Sequence, residues 1–180
     1  MVIYFFLYRT HVILYLWINQ LLKTMKTLTL ETPIKVYAYA ELSAEERKLT
    51  ESALEATHRS YAPYSNFQVG AAVLLENDVI VTGTNQENVA YPSGLCAERT
   101  ALFYANSQYP DVAVKALAIV GCSKHEGMNR TPISPCGACR QVMVETEKRF
   151  GKPMKVLLCG AEEVYVAGSA SCLLPLSFEF

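Results

Sequence analysis

Residues 137–159 read GACRQVMVETEKRFGKPMKVLLC. A helix is expected over about 137–150, followed by a short apolar strand at 155–159, KVLLC. Upstream, residues 116–122, ALAIVGC, form another short apolar run that reads as an inner strand. A further helix is expected at about 96–107. From residue 96 onward the chain therefore alternates helix, strand, helix, strand. Strands joined through a helix run parallel, whereas an antiparallel pair needs only a tight turn. The order implies an α/β domain with a partly parallel sheet covered by helices.

Ahead of this unit the pattern stays regular back to Ser43. Ser43 followed by Glu46 is a capping-box signature. The helix it starts should run to about Ser60, where Tyr61-Ala62-Pro63-Tyr64-Ser65 breaks it. Residues 67–76, FQVGAAVLLE, read as a buried strand. Asn77-Asp78 makes a turn and 79–83 the returning strand of a hairpin. Residues 84–95 form a loop with Pro92 and Gly94, and 123–135 a polar loop. The stretch 162–172 adds a weak edge strand.

The first 24 residues differ from the rest. MVIYFFLYRTHVILYLWINQLLK is rich in aromatic and β-branched residues. Arg9 and His11 cut its apolar run short of the ~20 residues a membrane span needs. No basic segment precedes it and no small-residue cleavage site follows, so it is a poor signal peptide. Met25 opens a more ordinary sequence. We expect translation to begin there, leaving 1–24 as an apolar extension outside the native protein, 25–42 as an N-terminal segment and 43–180 as the functional domain. Mass spectrometry of the native N-terminus decides this, and a natural peptide from residues 1–24 would sink it.

The bulk properties narrow the function. Half of the 180 residues are apolar (51%), which describes a globular chain. The formal net charge is −1, so the basic surplus of a nucleic-acid binder is missing. No nucleic-acid and no membrane partner is expected. The six cysteines do not suggest a disulfide framework. Cys96, Cys136 and Cys139 sit in motif-like settings, while Cys122, Cys159 and Cys172 stand singly in apolar stretches and read as core residues. That pattern fits a reduced, cytoplasmic compartment. His11, His58 and His125 lack partners at ligand spacing.

Two segments carry chemistry: Cys96-Ala97-Glu98 and Pro135-Cys136-Gly137-Ala138-Cys139. Cys136 and Cys139 are three apart, so on a helical turn they share a face. Both segments open helices, whose N-terminal dipoles and N–H groups favour the thiolates a metal needs. Three thiolates around one Zn²⁺ leave a fourth tetrahedral position for water, which is a catalytic arrangement. Such an ion carries a net charge of −1, and Arg99 is expected to offset it by donating to a ligand sulfur. Glu98 lies two residues past a ligand, so it can reach that water without binding the metal and can move its proton. Cys₃ ligation, a carboxylate that is not a ligand and P-C-x-x-C together describe zinc deaminases.

With these motifs the chain resembles the small homotetrameric cytidine deaminases of pyrimidine salvage. The resemblance rests on residues 61–72 (YAPYSNFQVGAA), 83–91 (GTNQENVAY), 96–101 (CAERTA), 134–141 (SPCGACRQ) and 173–178 (LLPLSF), and spans about 43–180. It implies a three-layer α/β/α fold with a central mixed five-stranded sheet and one Zn²⁺ per chain. It implies that Asn85 and Glu87 hold the ribose 3′-hydroxyl and that Phe67 packs on the pyrimidine. The backbone N–H of Cys96 or Ala97 and the carbonyl of Ser134 would meet the base. Ala90, Tyr91 and Phe178 would complete the site of a neighbouring subunit in a homotetramer with shared active sites. The substrates would be cytidine and deoxycytidine. The 123–133 loop is longer than in compact relatives and leaves both motifs intact. Competing readings are a deaminase of aminopyrimidine antibiotics and a non-catalytic zinc-stabilised interaction protein; a deaminase of nucleotides or nucleic acid would resemble a His-Ala-Glu pattern where this chain has Cys96-Ala97-Glu98 and would want basic residues for phosphate. Asn85, Glu87 and the C-terminal Leu174-Pro175-x-x-Phe178 favour ribonucleosides over the first, and Glu98 argues against the second.

Overall fold

A computed structural model describes residues 13–20, 26–123 and 127–179. The chain divides into one unit at Met1–Glu31 and another at Thr32–Phe180. Within the expected 1–24 extension only residues 13–20 are described, and they are helical. The rest of that extension, with His11 in it, lies outside the described residues, as does His125. No helix among the described residues is long and apolar enough to cross a membrane.

The second unit contains β1 (Ile34–Tyr37), α1 (Ala44–Thr57), β2 (Phe67–Leu75), β3 (Ile80–Thr84), α2 (Ala97–Gln108), β4 (Val114–Ser123), β5 (Gly127–Met128), α3 (Gly137–Phe150), β6 (Lys155–Cys159) and β7 (Val164–Ala167). Short 3₁₀ turns lie at Tyr39–Glu41, Tyr91–Ser93 and Ala170–Leu173. The sheet order is β1-β7-β6-β4-β2-β3, with β5 attached to β4. Among the described strands only β4 and β6 pair in parallel, with Ala116 opposite Lys155, and α3 lies between them in the chain. The other pairs are antiparallel. The partly parallel, mixed sheet read from the alternation is therefore present.

The five expected strands are β7-β6-β4-β2-β3, and two more join them. One is β1, four residues paired with β7 from Ile34–Ala167 to Tyr37–Val164. It leaves β7 one place in from the edge, not at it. The other is β5, two residues inside the expected 123–135 loop, with Met128 opposite Cys122. Both are too short to show a period of their own.

Side-chain alternation along the strands builds two cores. On β2, Ala71, Val73 and Leu75 join one core while Ala72 and Leu74 join the other. On β4, Leu117 and Ile119 face the first while Ala116, Ala118 and Val120 face the second. The first core is covered by Ala101, Leu102 and Ala105 of α2 and Met143 of α3; the second by Leu49 and Ala53 of α1. A sheet with apolar side chains on both faces needs helices on both faces, which makes the fold three-layer α/β/α.

The capping box at α1 forms as expected. Glu46 N–H donates to Ser43 Oγ at 3.2 Å, and Ser43 N–H to Glu46 Oε2 at 2.9 Å. The helix stops at Thr57, three residues early, because the chain turns away to bridge β3's extension. Tyr61 N–H donates to Asn85 O at 3.1 Å, and Glu87 N–H donates back to Tyr61 O at 2.8 Å. Among the isolated cysteines, Cys122 and Cys159 are buried as expected, while Cys172 is half-buried. His58 is exposed at the C-terminus of α1.

Candidate metal centre and active site

Cys96 and Cys136 are the N-cap residues of α2 and α3, and Cys139 lies in the first turn of α3. Two helix N-termini therefore converge on one point, each with N–H groups that have no partner inside the helix. Gly83 helps place them: a Cβ there would lie 2.7 Å from Ala97 O and closer still to Ala101 N. Only a glycine lets α2 sit directly on β3, with Ala97 fully buried between them.

The sulfurs of Cys96, Cys136 and Cys139 all lie within 4.8 Å of one another. Cys96 and Cys136 Sγ are 3.9 Å apart, and Cys136 and Cys139 Sγ are 3.4 Å apart. Three thiolates at about 2.3 Å from a tetrahedral zinc sit about 3.8 Å from each other. The triangle therefore fits one Zn²⁺ per chain, and among the described residues three protein ligands take three of its four positions. Cys139 is buried, Cys96 half-buried and Cys136 exposed, so the cluster opens to solvent on one side.

The cluster is prepared for negative charge. The Cys96 thiol is drawn down to about 5, first by its hydrogen bond with Cys139 and further by Arg99. Cys139 moves the other way, since it holds the shared proton in a buried place. Arg99 Nη2 donates to Cys96 Sγ at 3.5 Å. Glu98 points into the same place and is only 5% exposed. Burial pushes its carboxyl above the ordinary range, while a hydrogen bond with Cys139 pulls against it. A buried carboxyl beside the sulfur cluster is placed to accept and release a proton there.

The remaining expected residues fall into three groups. Phe67, Asn85 and Glu87 come together around the β2–β3 extension. Asn85 Nδ2 donates to Phe67 O at 2.9 Å, and Asn85 Oδ1 accepts from Val69 N–H at 2.8 Å and from the Ser60 hydroxyl. Most of the Asn85 amide is thus already engaged. Glu87 accepts from the amides of Tyr64 and Ser65 and from the Ser65 hydroxyl. Those bonds, the hydroxyl first, hold its carboxyl below the ordinary range. The Phe67 ring fills space that exists because residue 121 is glycine: a Cβ there would be 2.9 Å from Phe67 Cζ. Gln86 and Leu95 exchange backbone hydrogen bonds of 2.8 and 2.9 Å, which ties this strip directly to Cys96.

Ala90 and Tyr91 lie on the loop closed by that Gln86–Leu95 pair and are exposed, Tyr91 at 80%. Phe178 is 68% exposed, with its backbone against Gln141 on α3.

Three residues escaped the sequence reading. Arg140 Nε donates to Pro135 O at 2.8 Å and its Nη1 to Leu173 O at 3.0 Å, so it braces the turn before Cys136. Gln141 holds the chain at Phe178. Glu147 is buried, and its carboxylate accepts from the amides of Met154, Ala170 and Ser171 and from the hydroxyls of Ser169 and Ser171. Its signal was legible: a charge on the Cys139–Met143 face of α3, where an apolar residue is expected.

The family described as the cytidine and deoxycytidylate deaminase zinc-binding region matches residues 43–151. A cytidine deaminase of Halalkalibacterium halodurans is 45% identical over 101 residues, covering 56% of this chain and 71% of that protein. One from Sporosarcina psychrophila is 49% identical over 98 residues, covering 54% and 67%. Among solved structures, a cytidine deaminase from Burkholderia pseudomallei superposes with a TM-score of 0.61 at 42% identity, covering 73% of this chain and 97% of that one. The Mycobacterium tuberculosis cytidine deaminase gives 0.60 at 31% identity, over 77% and 100%. The matched family region contains all three sulfur ligands and Glu98, and the chain belongs to the cytidine and deoxycytidylate deaminase zinc-binding family.

Proposed function

We propose that the protein is a cytidine deaminase that converts cytidine and deoxycytidine to uridine and deoxyuridine with release of ammonia. The observation that carries this reading is the buried Glu98 beside a three-sulfur cluster with an open side. A structural zinc site uses four protein ligands and has no need of a buried carboxylate next to them.

Cys96, Cys136 and Cys139 would hold Zn²⁺, which would lower the pKa of a water bound beside Glu98. Glu98 takes one proton of that water. Glu98 passes the proton to N3, which makes C4 a better electrophile. The water's oxygen then bonds to C4 as the electrons of the C4–N3 double bond move onto N3; Glu98 takes the remaining hydroxyl proton and delivers it to the amine, the C4–N bond breaks, ammonia leaves and the C4 carbonyl of uridine forms. Arg99 stabilises the thiolate of Cys96 throughout, so charge develops in a place already set to receive it.

Phe67 packs on the pyrimidine, the Ala97 N–H meets the base, and Asn85 and Glu87 bind the ribose 3′-hydroxyl. Asn85 retains one amide N–H beyond its bond to Phe67 O, and Glu87 retains acceptor capacity beyond the bonds it makes. Ala90, Tyr91 and Phe178 serve the site of a neighbouring subunit in a homotetramer. The support for that arrangement is exposure: Val89, Tyr91 and Phe178 are 79, 80 and 68% exposed, so a neighbouring subunit can reach them. We place the enzyme in the cytoplasm, in pyrimidine salvage.

The test is uridine formation from cytidine, followed by absorbance or ammonia release. An active wild type and a zinc-loaded, inactive Glu98→Gln support the reading. A zinc-loaded wild type inert on every cytosine nucleoside overturns it.

A further inference from the structure

The C-terminal tail is fastened to the helix that carries two of the sulfur ligands, and the fastening begins one residue past Cys139. Arg140 Nη1 donates to Leu173 O at 3.0 Å. Gln141 uses both ends of its amide on a single residue: Nε2 donates to Phe178 O at 2.9 Å, and Oε1 accepts from Phe178 N–H at 3.2 Å. Lys148 pairs with Glu179 at 2.7 Å. Positions 141 and 148 are about two helical turns apart and so lie on one face of α3.

Arg140 and Gln141 are adjacent, yet they hold tail residues 173 and 178. The segment between those anchors is therefore a closed loop, with Leu176 75% exposed. A single hydrogen bond would fix only the distance of the tail from α3. The two-ended pairing fixes the orientation of the peptide groups at residue 178 as well, as a neighbouring strand would.

We propose that Gln141 is a positioning residue for Phe178, and through it a determinant of substrate affinity. This rests on the reading above that Phe178 contributes to a nucleoside site. A residue whose backbone is already held loses less freedom when its ring stacks on a base, so the benefit appears in binding rather than in the chemical step. Gln141 is two residues from a metal ligand but makes its bonds to the tail. Its removal should therefore act on KM and leave the zinc in place.

The test compares Gln141→Ala, Phe178→Ala and the double variant as zinc-loaded enzymes. Steady-state cytidine kinetics, zinc per chain and hydrogen exchange of the C-terminal peptide are measured. For Gln141→Ala, KM should rise about tenfold from the loss of two neutral hydrogen bonds, with kcat within about twofold. Zinc content should stay at one per chain, and exchange of the C-terminal peptide should quicken. The double variant should be no worse than Phe178→Ala, because both changes remove the same contribution. Gln141→Glu, which sets a carboxylate against Phe178 O, should give the same KM defect and serves if the alanine variant fails to fold. An unchanged KM in Gln141→Ala beside a raised KM in Phe178→Ala overturns the proposal, as do additive effects in the double variant. If Phe178→Ala itself leaves KM unchanged, the substrate role of Phe178 fails and takes this inference with it. The exchange data then report separately whether the strap exists.

Discussion

Replacing Arg99 by alanine tests the electrostatic design of the metal centre. The guanidinium sits 3.5 Å from Cys96 Sγ. The bond to Cys96 draws the Arg99 pKa above its ordinary value, so the group is charged at every working pH. Two unit charges at that separation attract by roughly 5 kcal/mol at an effective dielectric constant of about 20. Much of that is returned when the guanidinium leaves water. The net worth of a hydrogen bond to a charged group is about 1.5–3 kcal/mol. That corresponds to zinc bound about 10–100-fold more weakly, the range found when partners behind a metal ligand are removed. Competition with a chromophoric chelator in zinc buffers measures it directly. Arg99→Lys, which keeps the charge but not the planar fork, should fall between wild type and alanine. Wild-type zinc affinity and wild-type kinetics in Arg99→Ala would refute the reasoning.

Four further outcomes follow from the same geometry. Glu98→Gln should lose about 10²–10⁴ in kcat while retaining one zinc, as metal analysis beside the kinetics will report; near-normal turnover would remove Glu98 from proton transfer. Glu147→Gln should lower the unfolding free energy by about 3 kcal/mol, because an amide NH₂ would face donors the carboxylate now accepts from; a urea midpoint within error of wild type would contradict this. The Glu87 carboxyl should titrate below its ordinary value of 4.5 when followed by NMR. Its folded pKa is depressed, so its contribution to holding the Tyr64–Ser65 turn is present above the unfolded value and disappears as pH falls through the folded one; a midpoint at or above 4.5 speaks against the Ser65 contacts. Stripping zinc with a strong chelator should abolish deamination and lower the melting temperature, and both should return on adding Zn²⁺; activity that survives verified metal removal is incompatible with the proposed chemistry.

Much of the fold was legible along the chain because its signals are local. The span Gly137–Phe150 and the span Lys155–Cys159 form the helix and strand expected there, since each begins and ends on its own residues. The capping box at Ser43 and Glu46 is complete within four positions. The cysteine motifs were equally local, because ligand spacing within one turn is a property of sequence. The four-residue β1 was not legible, since its extended form is supported by hydrogen bonds to β7 from the far end of the chain. The same holds for β5, which is two residues long.

The sequence by itself therefore determined the alternation of elements, the three zinc-binding cysteines and the carboxylate beside them, since these depend on residue type and on neighbours a turn away. Only the tertiary structure decided that Cys96 meets Cys136 and Cys139 and that Glu98 is buried, because each needs α2 and α3 docked on one face of the sheet. It also decided the parts played by Glu147 and Gln141. Their side chains act on backbone groups brought near from distant positions, and nothing in the order of residues carries the direction of a side chain toward a peptide it meets only after folding.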